Sequence, residues 1–146
     1  MTGISTKGRY ATRIMVRLAL QKDRKPMRVN CIAEKEAIRP YYVEQILIHL
    51  KSHGLVHSYR GVHGGFSLAC DPSKLTVADI LTSVEGSIKL APCLENSCSR
   101  APQCVTRLIW EKATDAMNRI FSQTTLYAMT EQAESILELE KWTHEI

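Results

Sequence analysis

The chain has 146 residues, of which 45% are hydrophobic, and its formal net charge is +4. This length suits one domain of ordinary size with an accessory helix, and it disfavours a second full-sized domain. The sequence has no apolar run long enough to span a bilayer, and its opening residues lack the pattern of a secretion signal. We therefore expect a cytoplasmic protein without membrane contact.

Basic side chains are concentrated near the amino end and acidic ones near the carboxyl end. The basic residues are Lys7, Arg9, Arg13, Arg17, Lys22, Arg24, Lys25 and Arg28. The acidic residues are Glu131, Glu134, Glu138, Glu140 and Glu145. This asymmetry favours an amino half that meets phosphate, although two ordinary solvated helix faces would give the same pattern.

The first part of the chain predicts two helices in succession. Apolar residues recur at three-and-four spacing over residues 10–20, and Ser5 or Thr6 can cap the helix that this spacing predicts. A second short helix is expected around residues 29–36. The segment 38–40 interrupts it, because the residue before a proline is pushed out of the helical region. A turn is therefore expected there.

A third helix and a hairpin follow. The helix is expected from Pro40, which suits a first helical turn, to Gly54, which can take the left-handed conformation at a helix end. Residues 55–60 and 66–69 have strand character, and the glycine-rich segment 61–65 between them permits the positive φ angles of a hairpin turn. Two helices joined by a tight turn and followed by a hairpin predict a winged helix-turn-helix.

After the hairpin we expect a short helix and then a longer one. Thr76 and Asp79 form a capping-box pattern, and the helix that they begin ends near Gly86. Beyond residue 104 an apolar stripe is too long for the core of a small winged helix, so we expect it to pair with a second copy in a homodimer. The residues expected to form this dimerisation face are Leu108, Ile109, Ala113, Met117 and Ile120.

The predicted fold class is mainly α with a small β-hairpin. We expect a winged helix-turn-helix DNA-binding domain over residues 1–86 and a cysteine-rich cluster-binding loop over 87–104. Residues 105–146 are expected to form the dimerisation helix and a C-terminal helix that contains Ile136, Leu137 and Leu139.

The cysteines favour metal binding or redox chemistry. Five cysteines in a cytoplasmic chain disfavour a disulfide framework, because the cytosol keeps thiols reduced and an odd count leaves one unpaired. Cys93, Cys98 and Cys104 are separated by four and five residues, a spacing looser than the Cys-x-x-Cys of zinc ribbons and suited to a larger inorganic core. A thiol switch without metal is the alternative. We expect Cys31 and Cys70 to be buried as small hydrophobic side chains.

Several short motifs occur in the order and spacing of a known family. They are Lys7-Gly-Arg-Tyr10-Ala11, Tyr42-Val-Glu44-Gln45-Ile46-Leu47, Gly54-Leu55-Val56, Arg60-Gly61-Val-His-Gly64-Gly65-Phe66, Val84-Glu85-Gly86, the three cysteines of the loop, Trp110 and Thr124-Thr125-Leu126. From about Ser5 to Met129 the chain resembles the Rrf family of winged helix-turn-helix transcription regulators, which includes iron-sulfur sensors of the IscR, NsrR and RirA types.

The third helix carries the expected base-reading residues. The candidates near its amino end, where a recognition helix meets the major groove, are Arg39, Tyr41, Tyr42, Glu44 and Gln45. Gln can pair with adenine and Glu can accept from cytosine. Tyr42 can equally belong to the core and Glu44 can simply be solvated; the resemblance favours the DNA-binding role for Tyr42, Glu44 and Gln45.

The hairpin and the first helix are expected to add further DNA contacts. Arg60, beside the glycine turn, is placed to enter a minor groove, and Tyr59 and His63 can contact phosphates. The turn glycines serve the backbone geometry in either case. At the start of the first helix, a second set of residues is expected to contact phosphates and so fix the position of the protein along the duplex. This set is Lys7, Arg9 and Tyr10.

The resemblance implies an iron-sulfur cluster, 2Fe-2S or 4Fe-4S, rather than zinc, with the three cysteines of the loop as ligands. IscR-type members place a histidine three residues after the last cysteine, where this chain has Arg107. NsrR-type members can take a carboxylate from the first helix of the facing subunit, where this chain has Arg9. The fourth ligand stays open among a neighbouring side chain such as Glu95, a residue of the other subunit, water and an exogenous thiol.

The expected function is that of a sequence-specific DNA-binding transcription regulator. Its binding to a double-stranded operator would be controlled by the cluster, in response to iron, redox or nitric oxide status. The alternative is a repressor of the same fold controlled by a metal-free thiol switch or by a partner protein. An enzyme is not expected, because no Cys/His arrangement with an orienting acid is apparent.

Overall fold

The computed structural model describes residues 3–144, with side chains through residue 141. Glu145 and the outermost residues of the predicted segments 1–86 and 105–146 lie outside this range. The α-helices are α1 (Thr6–Ala19), α2 (Val29–Glu36), α3 (Pro40–Ser52), α4 (Val77–Glu85), α5 (Val105–Gln123) and α6 (Leu126–His144). The two strands are β1 (Val56–Tyr59) and β2 (Gly65–Leu68). Short 3-10 turns lie at Lys22–Arg24, Pro72–Lys74, Pro92–Leu94 and Ala101–Gln103.

The first helix begins earlier than its apolar stripe. The predicted cap is confirmed, because the Ser5 hydroxyl accepts a hydrogen bond of 3.1 Å from the backbone N–H of Gly8. The helix therefore begins at Thr6, whereas the apolar spacing becomes visible only at Tyr10. Residues of the first turn point mostly to solvent, so hydrophobic periodicity alone does not detect them.

The turn between α2 and α3 is built by two backbone conformations. Ala37 takes the left-handed conformation at φ 52° and ends α2, although it is not a glycine. Arg39, which precedes Pro40, is extended as expected, with φ −60° and ψ 133°. Together they turn the chain between the two helices of the predicted helix-turn-helix.

The hairpin is joined to the chain that precedes α2. Strands β1 and β2 pair antiparallel, with Val56 opposite Leu68 and Tyr59 opposite Gly65. Met27 forms a further bridge with Phe66 through two backbone hydrogen bonds of 2.8 and 2.9 Å. A Cβ on Gly65 would overlap the Met27 carbonyl, so this approach requires glycine.

A continuous core joins the winged helix to the start of the last helix. Leu126, at the beginning of α6, is fully buried in the same cluster as the residues of α1, α3 and α4. The connection is reinforced by backbone hydrogen bonds from Leu126 N–H to the Leu75 carbonyl (2.7 Å) and from Val77 N–H to the Thr124 carbonyl (2.9 Å). The remaining buried hydrophobic side chains of this core include Ile14, Met15, Ile32, Val43, Ile46, Leu47, Leu50, Val56 and Ile80.

Helix α4 fixes the start of α1. The predicted capping box of Thr76 and Asp79 is present, with the Thr76 N–H donating to the Asp79 carboxylate at 2.8 Å. At the other end of α4 the Glu85 carboxylate accepts from both the N–H and the hydroxyl of Ser5, at 2.9 and 2.7 Å. A Cβ on Gly8 would overlap this carboxylate, so a larger residue there would displace the Glu85 side chain from Ser5.

The predicted fold class, mainly α with a small β-hairpin, is confirmed. Across residues 3–144 the structure contains no helix that is both long and apolar enough to cross a membrane.

Helix α2 is held to α1 by a buried carboxylate. Glu36 is only 8% exposed. Its side chain pairs with Arg13 at 3.1 Å and with Arg17 at 2.6 Å, and Arg13 also donates to the backbone carbonyl of Glu36. The carboxylate and the last carbonyl of α2 are thus both satisfied by side chains of α1.

We expect Glu36→Gln to lower the free energy of unfolding by about 1–3 kcal/mol, because charge-assisted hydrogen bonds to a buried carboxylate are lost. Urea unfolding at fixed protein concentration measures the effect. The matched control is Glu34→Gln, an exposed carboxylate on the same helix, whose substitution should change stability by less than about 0.5 kcal/mol. Equal stability of the two variants would contradict this role for Glu36.

Candidate DNA-binding surface and cysteine loop

One face of α3 is exposed along its length. Tyr41 is 73% exposed, and Glu44 and Ile48 are exposed at positions three and seven residues further on. Because a helix repeats every 3.6 residues, these side chains and Gln45, which is half-buried, share one side of the helix. Arg39 is exposed at the amino end of the same helix.

The wing lies beside this face. Lys51 lies three residues after Ile48 on the exposed side of α3. Its Nζ donates a 2.6 Å hydrogen bond to the Ser58 hydroxyl in β1. Tyr59, Arg60 and His63 are exposed on the hairpin, and their DNA contacts stay predictions. We call the exposed side of α3 together with residues 59–63 the reading face.

Sequence reasoning missed three residues of the reading face. Ile48 is an exposed large apolar side chain on α3, and Val62 at the tip of the wing is 79% exposed. Lys51 links the helix to the wing. The helical spacing from Tyr41 would have pointed to Ile48 and Lys51, whereas nothing in the sequence distinguishes an exposed valine in a turn from a buried one.

Tyr10 and Tyr42 contact each other and are only half-buried. Their rings are edge-on with centroids 5.7 Å apart, and the Arg13 guanidinium lies 5.4 Å from the centre of the Tyr10 ring. Tyr42 therefore contributes to the packing of α1 against α3, in agreement with the alternative that it belongs to the core. Its DNA contact, like that of Tyr10, stays a prediction.

The other two predicted residues of α1 differ in their surroundings. Lys7 is half-buried, whereas Arg9 is exposed. The Arg9 guanidinium donates a 3.1 Å hydrogen bond to the Thr6 hydroxyl one turn earlier. Both positive charges remain accessible at the amino end of α1, and their phosphate contacts stay predictions.

The cysteine loop, residues 87–104, is held against α5 by two hydrogen bonds. The backbone N–H of Leu90 donates to the buried Thr114 hydroxyl at 3.3 Å. Arg107, in the first turn of α5, donates from Nη1 to the Cys93 carbonyl at 2.6 Å. Its Nε also pairs with Glu111 at 2.8 Å, which fixes the guanidinium. Lys89 Nζ donates within the loop, to the Leu94 carbonyl at 2.9 Å.

Cys104 lies at the junction between the loop and α5. Its backbone is the N-cap residue of that helix. A hydrogen bond with the Thr106 hydroxyl, 3.2 Å from Sγ, lowers the pKa of the Cys104 thiol, and the Arg107 backbone N–H and the charge of Arg100 act in the same direction. A lowered thiol pKa favours the thiolate, which is the form that both ligates metal and reacts with oxidants.

The donor set of the loop, three cysteine thiols, has the chemistry of iron-sulfur ligands. Cys93, Cys98 and Cys104 are all free thiols and all half-buried. In the part of the chain that the structure describes, no three His, Cys, Asp or Glu side chains are grouped so as to hold one metal ion. Cluster ligands bind different iron atoms of a larger core, so they need not meet at one point.

Arg107 occupies the position at which the resemblance placed a fourth ligand. Arginine is a donor with no lone pair available for iron. In this structure its guanidinium is engaged by the Cys93 carbonyl and by Glu111. The loop therefore offers three cysteine thiols, and position 107 adds no fourth ligand.

The remaining two cysteines are less buried than expected. Cys31 and Cys70 are both half-buried rather than fully enclosed. Cys31 packs against the edge of the core, and the Cys70 thiol lies 3.9 Å from the Gly54 carbonyl. The expectation that both are buried was wrong in degree, because Cys31 lies in the first turn of α2 at the edge of the core and Cys70 lies two residues beyond the end of β2.

The predicted dimerisation face is largely exposed in the single protomer. Leu108, Ile109 and Ile120 are exposed, Ile120 by 62%. Ala113 and Met117 are half-buried. Large apolar side chains that stay exposed on one face of a long helix are typical of protein–protein contacts, and pairing through this face stays a prediction.

Comparison with known proteins gives consistent matches over most of the chain. The Rrf2 family model, described as an iron-dependent transcriptional regulator, matches residues 4–132. The HTH-type transcriptional regulator CymR of Bacillus subtilis (strain 168) is 35% identical over 123 residues, which are 84% of this chain and 86% of CymR.

Two solved structures are similar in fold and sequence. The structure of CymR (YrzC), the global cysteine regulator of B. subtilis, has a TM-score of 0.78 and 34% identity, covering 90% of this chain and 98% of that chain. The structure of T. potens IscR has a TM-score of 0.77 and 33% identity, covering 92% and 90% respectively.

We expect Arg107→Ala to loosen the cysteine loop, because it removes the hydrogen bond to the Cys93 carbonyl. Amide hydrogen exchange of residues 90–98 should become about fivefold to tenfold faster, which corresponds to roughly 1 kcal/mol. Arg119→Ala, an exposed arginine on the same helix, is the control and should leave the loop unchanged. Identical exchange in both variants would show that Arg107 does not hold the loop.

Proposed function

The chain belongs to the Rrf2 family of transcriptional regulators, and on this premise we propose that it is a homodimeric, sequence-specific DNA-binding regulator whose operator affinity is set by its cysteine loop. Its relatives are regulators and not enzymes. The observation that carries the proposal is the reading face, where the exposed side of α3 and the wing stand side by side, linked by Lys51 and Ser58.

The reading face has the chemistry to recognise a duplex. Side chains near the amino end of a recognition helix reach base edges in the major groove, and Glu44 and Gln45 supply an acceptor and an amide there. Tyr41 adds an exposed ring that can contact the backbone or a thymine methyl. The wing then presents Arg60 to the adjacent minor groove, where the negative potential attracts a guanidinium.

A second copy would pair through the exposed stripe of α5. Burying three large apolar side chains on each protomer is favourable at roughly 25 cal/mol per Å² of apolar surface. A twofold dimer of this kind presents two recognition helices, which suits an operator whose two halves are related by the same symmetry. The spacing between the two half-sites then depends on how α5 is oriented relative to the winged helix.

The cysteine loop is the candidate regulatory element. Cys93, Cys98 and Cys104 would hold an iron-sulfur cluster, as the family resemblance and the free thiols support. When bound, such a cluster supplies a cross-link within the loop and a sensitivity to oxygen, nitric oxide and iron supply. The residues of the chain contribute the thiolates and, through Arg107 and Thr114, the attachment of the loop to α5.

A metal-free thiol switch is the second candidate. It is favoured by Arg107, which fills the place of a fourth ligand with a residue that cannot bind iron and holds the loop without any metal. The similarity to the B. subtilis protein named the global cysteine regulator supports the same possibility. In both candidates the signal acts on the cysteines of the same loop. One experiment that measures both the cluster content and the thiol dependence of operator binding therefore distinguishes them.

We expect Arg60→Ala to weaken specific DNA binding by about 1–3 kcal/mol while the fold and the dimer remain intact. Fluorescence anisotropy with a duplex selected from a random library by the unaltered protein measures this. Arg119→Ala, with the same change of charge on α5, is the control. Unchanged affinity at moderate salt would remove Arg60 from the DNA interface.

The nature of the signal is tested by anaerobic purification of the full chain, followed by iron and sulfide counts and by visible and Mössbauer spectra. We expect stoichiometric cluster in the unaltered protein and in the control Cys70→Ala. Cys98→Ala should lose the visible absorbance and change its operator affinity, because one thiolate ligand is missing. Operator binding that depends on the thiol oxidation state, with no iron after reconstitution, would instead establish the thiol switch.

A further inference from the structure

A concave basic site lies at the base of the wing. It is a cavity of about 460 Å³ between the segment that precedes α2 and the wing turn. Its lining residues are Lys25, Pro26, Arg28, Val62, His63 and Gly64. We call this cavity the wing-base pocket. Of its lining residues, His63 was expected to contact phosphate, and Lys25 and Arg28 belong to the basic amino half of the chain without an individual role assigned to them.

The two walls of the pocket are held together by the backbone. The bridge between Met27 and Phe66 fastens the segment that precedes α2 to β2. Arg28 adds a side-chain link, since its Nη2 donates to the backbone carbonyl of Val62 in the wing turn. The pocket is therefore a fixed feature of the fold, defined by contacts between segments far apart in sequence.

The polar side chains of the pocket are all basic. Lys25, Arg28 and His63 are exposed, and the lining residues include no carboxylate. Among the described residues neither Lys25 nor Arg28 takes part in an ion pair. Two unpaired permanent positive charges in one concavity create a local positive potential that attracts an anion.

We propose that the wing-base pocket binds a backbone phosphate of DNA, a contact that rests on the DNA-binding function proposed above. Arg28 gives one guanidinium N–H to Val62, and within residues 3–141 no other hydrogen bond engages this guanidinium. Such a planar fork suits phosphate oxygens. Lys25 supplies a second charge and His63 a further donor. Arg60 precedes the lining residue Val62 by two positions in the same wing turn, and phosphates border the groove that Arg60 is proposed to enter.

Loss of a phosphate contact affects DNA affinity differently from loss of a base contact. Phosphates are present at every position of a duplex, so loss of a phosphate contact weakens binding to all sequences by a similar factor. Each contact also releases about one counterion, so its loss reduces the slope of log affinity against log salt by roughly 0.9. The role of Arg28 is double, because it both contacts the phosphate and holds the wing turn.

The test compares Lys25→Gln and Arg28→Gln with the control Lys141→Gln, which removes the same charge from an exposed position on α6. The probes are a duplex of about 40 base pairs selected by the unaltered protein from a random library, and an unrelated duplex of equal length. Affinities are measured between about 50 and 200 mM salt. Lys25 and Arg28 are exposed, so both variants are expected to fold.

We expect each pocket variant to bind both duplexes about threefold to tenfold more weakly than the control, with a salt slope smaller by about one. Slopes and affinities equal to those of Lys141→Gln would overturn the proposal. A loss seen only with Arg28→Gln would also overturn it and leave Arg28 as a tether of the wing. Failure of the unaltered protein to select any sequence would instead refute the proposed function.

Discussion

The buried carboxylate of Glu36 is the constraint on which the position of α3 depends. It stands at the last residue of α2, immediately before the turn into α3, and both its side chain and its backbone carbonyl are bound by arginines of α1. An unpaired carboxylate at this depth would be costly, so α2 cannot shift along α1 without losing these bonds. The start of α3 is thereby fixed relative to α1.

Helix α1 is in turn fixed at its amino end by α4. The Glu85 carboxylate binds the N-cap residue Ser5, and Gly8 allows the two helices to approach closely. Glu85 is the last residue of α4, two positions before the cysteine loop begins. Two separate sets of polar contacts thus attach α1 to α4 near the start of that loop and to α2 at the turn that precedes α3.

The cysteine loop combines firm attachment with accessible thiols. Its backbone is tied to α5 at Leu90 and Cys93, and Cys104 forms the N-cap of that helix. The three thiols nevertheless remain free and only half-buried. Oxidation of these thiols, or binding of a cluster to them, can therefore change the contacts of the loop with α5. The exposed stripe of α5 is the proposed dimerisation face.

The sequence by itself determined the order and type of the elements, because caps, glycines and periodic apolar residues act locally: Ser5, the Thr76–Asp79 box and Gly54 all behave as their residue types predict. The sequence also predicted the three cysteines as candidate ligands or redox thiols, and it predicted most residues of the reading face as candidates for DNA contact. Only the tertiary structure decided which side chains of distant segments contact each other. The bonds from Arg13 and Arg17 to Glu36, the packing of Tyr42 on Tyr10, and the pocket between Lys25 and His63 all join residues far apart in the chain, and local patterns do not encode such contacts.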